Sequence, residues 1–337
     1  MNLREKTILV TGATGFVGGR LAERLAREEG AYVRALVRSE EKASRLRQQM
    51  AGLAIEPVLG ELSDLASLER AATGCQIIFH CAAWVSDRGT PEDFYRANVV
   101  GSQNIVAAAL KAGCERFIHT SSISVYGLNP KDGTDENTIF DTASDNLYCK
   151  TKIQSENIVE AAHKRDGLST VIIRPGSVYG PYSATWTLRP IKAIKEKQLF
   201  LIAGGTGLCN YVYIDNLIDG MLLAAQNDKV TGEAFIITDG QGASWREFFG
   251  HYSRMLGREN LPSLPLMAAK MVGLGMEMRE KITGQRALLT RTAVGFLTRQ
   301  ATFNIAKARR LLSYSPKIDL NEGMKLTEKW LRQEGII

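Results

Sequence analysis

Several things are missing from this chain of 337 residues, and each absence excludes something. No run of about 18 uncharged apolar residues occurs, so no helix is expected to span a bilayer. Cysteine is sparse: five residues, at positions 75, 81, 114, 149 and 209, with no C-x-x-C pair. The four histidines (80, 119, 163, 251) are scattered. Neither a disulfide framework nor a metal site is expected from such spacing, and free thiols suit a reducing, cytoplasmic setting. The first strand candidate begins near residue 7, which leaves no room for a signal peptide ahead of it. There are no low-complexity segments, no basic runs and no aromatic-basic interleaving. The net charge of +6 therefore suits an anionic small molecule better than nucleic acid.

What is present is a pair of motifs about 130 residues apart. Thr11-Gly12-Ala13-Thr14-Gly15-Phe16-Val17-Gly18 follows the apolar run Thr7-Ile8-Leu9-Val10 and leads into Arg20–Ala26, which reads as strand, turn and helix. Glycine allows a tight turn and close backbone approach to a phosphate. The helix start then offers unpaired N–H groups and a positive dipole end. Gly12, Thr14, Gly15, Phe16, Val17 and Gly18 are thus candidate ligands of a dinucleotide, although GxxGxxG differs from the commoner GxGxxG. The second strand candidate, Tyr32–Val37, ends on Arg38, with Lys42 four residues on and no acidic residue at the strand end. A guanidinium fork suits a 2′-phosphate, so NADP(H) is preferred over NAD(H). The alternative is that Arg38 and Lys42 are plain surface cations and Glu40 or Glu41 meets the ribose.

Strand candidates at 6–10, 31–37, 54–59, 76–80, 115–120 and 168–173 alternate with helix candidates at 16–29, 40–50, 64–73, 92–112 and 145–166. This rhythm implies an α/β fold: a doubly wound parallel sheet with right-handed crossovers. With 45% apolar residues the chain can build a sizeable core. The sites following strands (the glycine loop, Ala82-Ala83, Ser121-Ser122 and Pro175-Gly176) should share one face, where such sheets bind ligands. Residues 1–175 form the expected dinucleotide domain. Residues 176–337 form a smaller, mainly substrate-binding α/β portion, some of which returns to the sheet. Within it, 261–284 is rich in Met and Leu. It reads as a core helix, a pliable apolar lid, or a helix making weak membrane-surface contact.

Tyr148 and Lys152 stand four apart on the helix candidate 145–166, so both share a face. A phenol is a poor base near neutrality, and a nearby ammonium should lower its pKa. Tyr148 could then exchange a proton with a carbonyl or carbinol oxygen while a nicotinamide exchanges hydride. Ser122 could hold the same oxygen, and Asn98 could orient Lys152 through water. A bare Y-x-x-x-K is weak evidence, but Ser-Ser-Ile-Ser-Val-Tyr-Gly ahead of it and the glycine loop strengthen it.

Through TGATGFVG, GELSD, HCAA, NVVGSQN, TSSISVYG, YCKTK and RPGSVYGP, the chain resembles the extended short-chain dehydrogenase/reductases over nearly its full length. The resemblance implies a Rossmann sheet and Ser122, Tyr148 and Lys152 as catalytic groups, with Lys152 also reaching the cofactor ribose. It implies that Glu61, where the family usually has Asp, and Leu62 lie at the adenine. Ala82 and Ala83 would line the cofactor, and Pro175 and Val178 the nicotinamide amide. It also implies a homodimer built by helices 92–112 and 145–166, whose runs Ile105–Leu110 and Ile158–Ala162 could equally just pack on the sheet. Sugar-nucleotide members carry an arginine where this chain has Cys209, and a thiol cannot clamp a diphosphate. The tail is similar to the 3β-hydroxysteroid dehydrogenase and dihydroflavonol reductase-like branch. The leading expectation is an oxidoreductase acting on an apolar ketone/alcohol pair (steroid-, flavonoid- or β-keto-acid-like). The alternatives are a nucleotide-sugar epimerase/dehydratase and a non-catalytic dinucleotide-binding regulator.

Overall fold

The computed structural model describes all residues except 87, 88, 286 and 288. The strands β1 (Thr7–Thr11), β2 (Tyr32–Val37), β3 (Ile55–Leu59), β4 (Ile77–His80), β5 (Arg116–Thr120) and β6 (Thr170–Pro175) alternate with helices. These are α1 (Phe16–Arg27), α2 (Glu40–Gln49), α3 (Leu65–Ala72), α4 (Pro91–Phe94) and α5 (Gly101–Ala112), then α6 (Leu147–Asp166). A π-helical turn, Tyr95–Val100, joins α4 to α5. The central strands are mostly apolar because both faces are covered: Ile8, Leu9 and Val10 are all fully buried.

Beyond β6 the elements shorten, with β7 (Ser177–Tyr179), α7 (Arg189–Lys195), β8 (Leu201–Ile202), β9 (Leu208–Cys209), β10 (Tyr211–Tyr213), α8 (Ile214–Gln226) and β11 (Ala234–Ile237). They continue with β12 (Ala243–Ser244), α9 (Trp245–Met255), β13 (Ser263–Leu264), α10 (Leu266–Thr283), α11 (Arg291–Thr298), α12 (Ala306–Leu312) and α13 (Leu320–Gln333). β11 pairs in parallel with β6, completing a seven-stranded sheet of order β11-β6-β5-β4-β1-β2-β3. All its pairings are parallel. The fold is the expected doubly wound α/β Rossmann sheet, with the order reversing beside β1. The remaining short strands pair off as β7 with β10, β9 with β12 and β8 with β13.

Two apolar cores flank the sheet. Leu68, Ile105, Ala109, Val159 and Ala162 of α3, α5 and α6 cover one face. Leu21 and Leu25 of α1 and Leu217, Ile218 and Met221 of α8 cover the other. The apolar runs of α5 and α6 are thus largely occupied within one chain. Gln103, Ala107, Gln154, Asn157 and Glu160 face outward. α10 is no core helix: Ala269 and Gly273 are its buried residues, and most of its large apolar side chains are exposed.

Candidate active site

The parallel sheet brings the ends of β1, β4, β5 and β6 to one edge. At β1, Gly12 takes φ +75°, a conformation that favours glycine. The Gly15 N–H donates to the Gly12 carbonyl at 2.8 Å. A β-carbon on Gly12 would sit 2.9 Å from the Ala82 nitrogen, and one on Gly18 would collide with the Gly12 carbonyl. The glycines therefore let the loop, the start of α1 and the Ala82-Ala83 segment nest together. No side chain caps α1 at Gly15, so its first N–H groups point out of the cradle unclaimed by any cap. Thr14 and Gly15 are exposed, and Phe16, Val17, Ala82 and Ala83 are half-buried. This cradle fits a pyrophosphate.

At the adjoining rim, Arg38 is exposed at the end of β2 and Lys42 lies in the first turn of α2. Neither forms an ion pair among the described residues, whereas Glu40 pairs with Arg47 at 2.6 Å and Glu41 with Arg45 at 2.7 Å. Both acids are thus turned along their own helix. Glu61 is exposed just beyond β3. Leu62 packs against Gly101, and its carbonyl accepts from Asn104 Nδ2 at 2.8 Å.

Tyr148 lies in the first turn of α6, which Asn146 caps by accepting from the Cys149 N–H at 2.9 Å. Its phenol lies beside Ser122, just past the end of β5, whose hydroxyl accepts from the Ser124 N–H at 3.1 Å. One expectation, the direction of the phenol's shift, is corrected here. The phenol is not lowered: burial pushes it up to about 12, against the opposing pull of the neighbouring Ser122 hydroxyl. The reason is that Lys152 turns inward. Its Nζ donates to the Thr120 carbonyl at 2.7 Å and lies 3.4 Å from His119 Nε2, and burial lowers it to about 8. Asn98, in the π-turn, is also committed elsewhere. It accepts from the Trp84 N–H at 2.7 Å and donates to the Trp84 carbonyl at 3.3 Å and to Thr151 Oγ1 at 3.0 Å. It ties the segment after β4 to α6 and does not reach Lys152 itself.

Beneath the cradle lies a buried polar layer that sequence reasoning missed. His80 and His119 stand in register on β4 and β5, with ring centroids 5.4 Å apart. Thr11 Oγ1 accepts from the Ala82 N–H at 3.1 Å, which leaves its own proton for His80 Nδ1 at 2.8 Å. Ser102 donates to the Asn98 carbonyl at 2.7 Å, so His80 Nε2–H faces it at 3.4 Å. Burial first, and then Lys152, lower His80 to about 3 and hold His119 well below its ordinary value. Both imidazoles are neutral near pH 7.

On the substrate side, Pro175 ends β6 and Val178 is half-buried in β7. Cys209 is fully buried, and burial pushes its thiol up. Beside it lies Arg299, also missed: 5% exposed, with Nε and Nη2 unpartnered, sandwiched by Phe296 and Phe303 at 4.9 and 5.2 Å. Trp186 stacks on Trp245 and on Phe296, at 5.3 and 5.6 Å. Trp84 and Val85 are exposed just past Ala83. Arg174 is bound to Glu156, Nη2 to Oε2 at 2.6 Å, and to the Tyr126 hydroxyl at 2.6 Å, which occupies it structurally. Arg189, Lys192 and Lys195 lie on an exposed face of α7.

The family model of the NAD dependent epimerase/dehydratase family matches residues 8–238. The chain belongs to that family. It lies within the extended short-chain dehydrogenase/reductases, as the motifs implied. A 4-hydroxy-2-methyl-3-oxo-4-farnesyl-3,4-dihydroquinoline-1-oxide ketoreductase of Stigmatella aurantiaca is 34% identical, over 97% of this chain and 96% of that protein. A 3-beta-hydroxysteroid dehydrogenase of Mycolicibacterium neoaurum is 30% identical, over 94% of this chain and 89% of that protein. The crystal structure of gox2253 superposes with a TM-score of 0.80 at 28% identity, covering 98% of this chain and 99% of that one. UDP-glucuronic acid 4-epimerase from Bacillus cereus, in complex with NAD, shares the fold at a TM-score of 0.77 and 23% identity, covering 97% and 99%.

Proposed function

We propose that this family member is an NADP(H)-preferring oxidoreductase that interconverts a ketone and a secondary alcohol on a largely apolar substrate. The observation that carries the reading is the juxtaposition of Ser122 and Tyr148 at the carboxyl edge of the sheet, beside the glycine cradle. A phenol raised to about 12 is protonated at neutral pH, which suits it to donate to a carbonyl oxygen. The bound nicotinamide supplies or accepts the hydride. In the reductive direction Tyr148 gives its proton to the oxygen as the carbon gains hydride, and Ser122 holds that oxygen. Lys152, near 8, is a buried ammonium one helical turn away that would reach the cofactor ribose. Arg38 and Lys42 would take the 2′-phosphate, Glu61 and Leu62 the adenine side, and Pro175 and Val178 the nicotinamide amide. Asn98 would act by shaping the Ala82–Val85 segment.

The apolar preference is supported by Cys209, by the Trp186–Trp245–Phe296 stack and exposed Trp84 and Val85, and by relatives named for a farnesylated ketone and for steroids. One observation favours the second reading, a nucleotide-sugar epimerase or dehydratase: the unpartnered guanidinium of Arg299 beside Cys209 could hold an anionic group. A non-catalytic regulator has no need of the Tyr148–Ser122 pair. The test is Tyr148→Phe. Turnover should fall by orders of magnitude with cofactor affinity nearly unchanged, because the hydroxyl acts mainly in the transition state. Near-normal turnover would remove the assignment.

A further inference from the structure

α10 carries an apolar stripe on its outward side. Met267, Met271, Leu274, Met278 and Ile282 recur at steps of three and four, which places them along one line of the helix. They are 69, 67, 39, 56 and 81% exposed. The opposite side holds the helix to the protein. Ala269 and Gly273 are buried, and α10 shares a small core with Ile202 of β8 and Val294 of α11. The stripe is therefore not a face that folding has left half-packed. It points away from the side on which Ala269 and Gly273 are buried.

The charges of α10 are sorted about the same line. Its two acids turn toward the protein: Glu277 accepts from the backbone N–H and Nε of Arg291 at 2.7 and 2.8 Å, and Glu280 accepts from the Ala287 N–H at 3.2 Å. Its three cations are exposed. At 100° per residue, Lys270 and Lys281 fall along one border of the stripe and Arg279 along the other. An outward apolar line with cations on both borders and acids withdrawn is complementary to a surface that is apolar within and anionic at its rim. Methionine side chains adapt to such an irregular surface, and an exposed apolar patch of several side chains marks an interaction site.

We propose that α10 docks this enzyme on an anionic lipid surface, with the Met267–Ile282 line in the acyl boundary and Lys270, Arg279 and Lys281 at the headgroups. No helix among the described residues is long and apolar enough to cross a membrane, so the contact is peripheral. The packed side of α10 is linked through α11 to the segment that follows Ser122. α10 packs on α11, and a β-carbon at Gly295 of α11 would meet Leu128, six residues past Ser122, at 3.7 Å. The proposal does not depend on which substrate is turned over.

The experiment is co-sedimentation of the full chain with phosphatidylcholine vesicles with and without phosphatidylglycerol. It is repeated for the double variants Met271→Gln/Met278→Gln and Lys270→Gln/Lys281→Gln, and all three proteins are checked for unchanged thermal melting. The native chain should partition to the anionic vesicles. Loss of two stripe side chains should weaken that partition at least about tenfold, and loss of two cations should weaken it on anionic vesicles and leave neutral ones unaffected. Absence of partition, an undiminished methionine variant, or equal partition to neutral and anionic vesicles would overturn the proposal. So would sedimentation velocity showing that the methionine variant splits an oligomer, since the stripe would then be occupied by a second copy.

Discussion

Replacing Arg38 tests the cofactor reading at one side chain. Arg38 sits exposed at the end of β2, and neither it nor Lys42 forms an ion pair among the described residues, so neither must be released from a partner before binding. A charge-assisted contact to a phosphate is worth about 1.5–3 kcal/mol, or roughly 10- to 150-fold in affinity. Exposure and salt screening place this site in the lower half of that span. Arg38→Ala should weaken NADPH roughly 10- to 30-fold and leave NADH nearly unchanged. Arg38→Asp should invert the preference, because a carboxylate repels the 2′-phosphate and accepts from ribose hydroxyls. Fluorescence titration with both nucleotides, at low and high salt, measures all of this. Only the NADPH affinity should fall steeply with salt. Equal affinities in the native protein, or an equal loss for both nucleotides in Arg38→Ala, would refute the reasoning.

Three further outcomes are expected. His80 and His119 are held neutral in the fold, so the unfolded chain binds more protons below pH 6.5. Stability should therefore fall as pH drops from 6.5 toward 5, by up to about 1.4 kcal/mol per unit for each imidazole, and His119→Phe should flatten that slope in thermal melts. Glu156→Gln leaves Arg174 buried without its carboxylate but still bonded to Tyr126, so a loss near the lower end of about 3–5 kcal/mol is expected, seen as a Tm several degrees lower. If α5 and α6 pair with those of a second copy, sedimentation velocity at micromolar concentration should give twice the 37.1 kDa of one chain. A monomer there would remove the dimer.

The parts of the site visible in the sequence were those fixed by local spacing. Glycines at 12, 15 and 18 specify a turn whose strain only glycine relieves, and Tyr148 with Lys152 follows from helical periodicity. What escaped was decided by direction. β4 and β5 are buried on both faces, so no alternation reveals that His80 and His119 converge beneath the cradle, or that His119 and the Thr120 carbonyl draw Lys152 inward. Asn98 was placed on the right helix, but its partner Trp84 lies in an irregular segment that no pattern anticipates. Arg299 reaches Cys209 from 90 residues on, a distance over which sequence spacing says nothing. For 261–284 composition showed an apolar helix without showing which side was free. Ala269 and Gly273, small residues four apart, were the available sign of the packed face.

The most direct test of the central claim is cofactor stoichiometry under a substrate screen. With NADPH present, 3-ketosteroids, flavanonols, β-keto acids and prenylated ketones would be compared with UDP- and dTDP-sugars, following absorbance of the reduced nicotinamide together with product. Consumption of one NADPH per molecule of apolar ketone reduced, abolished in Tyr148→Phe, is the predicted result. Conversion of a nucleotide sugar alone, with no net change in cofactor and with loss of activity in Arg299→Ala, would contradict it.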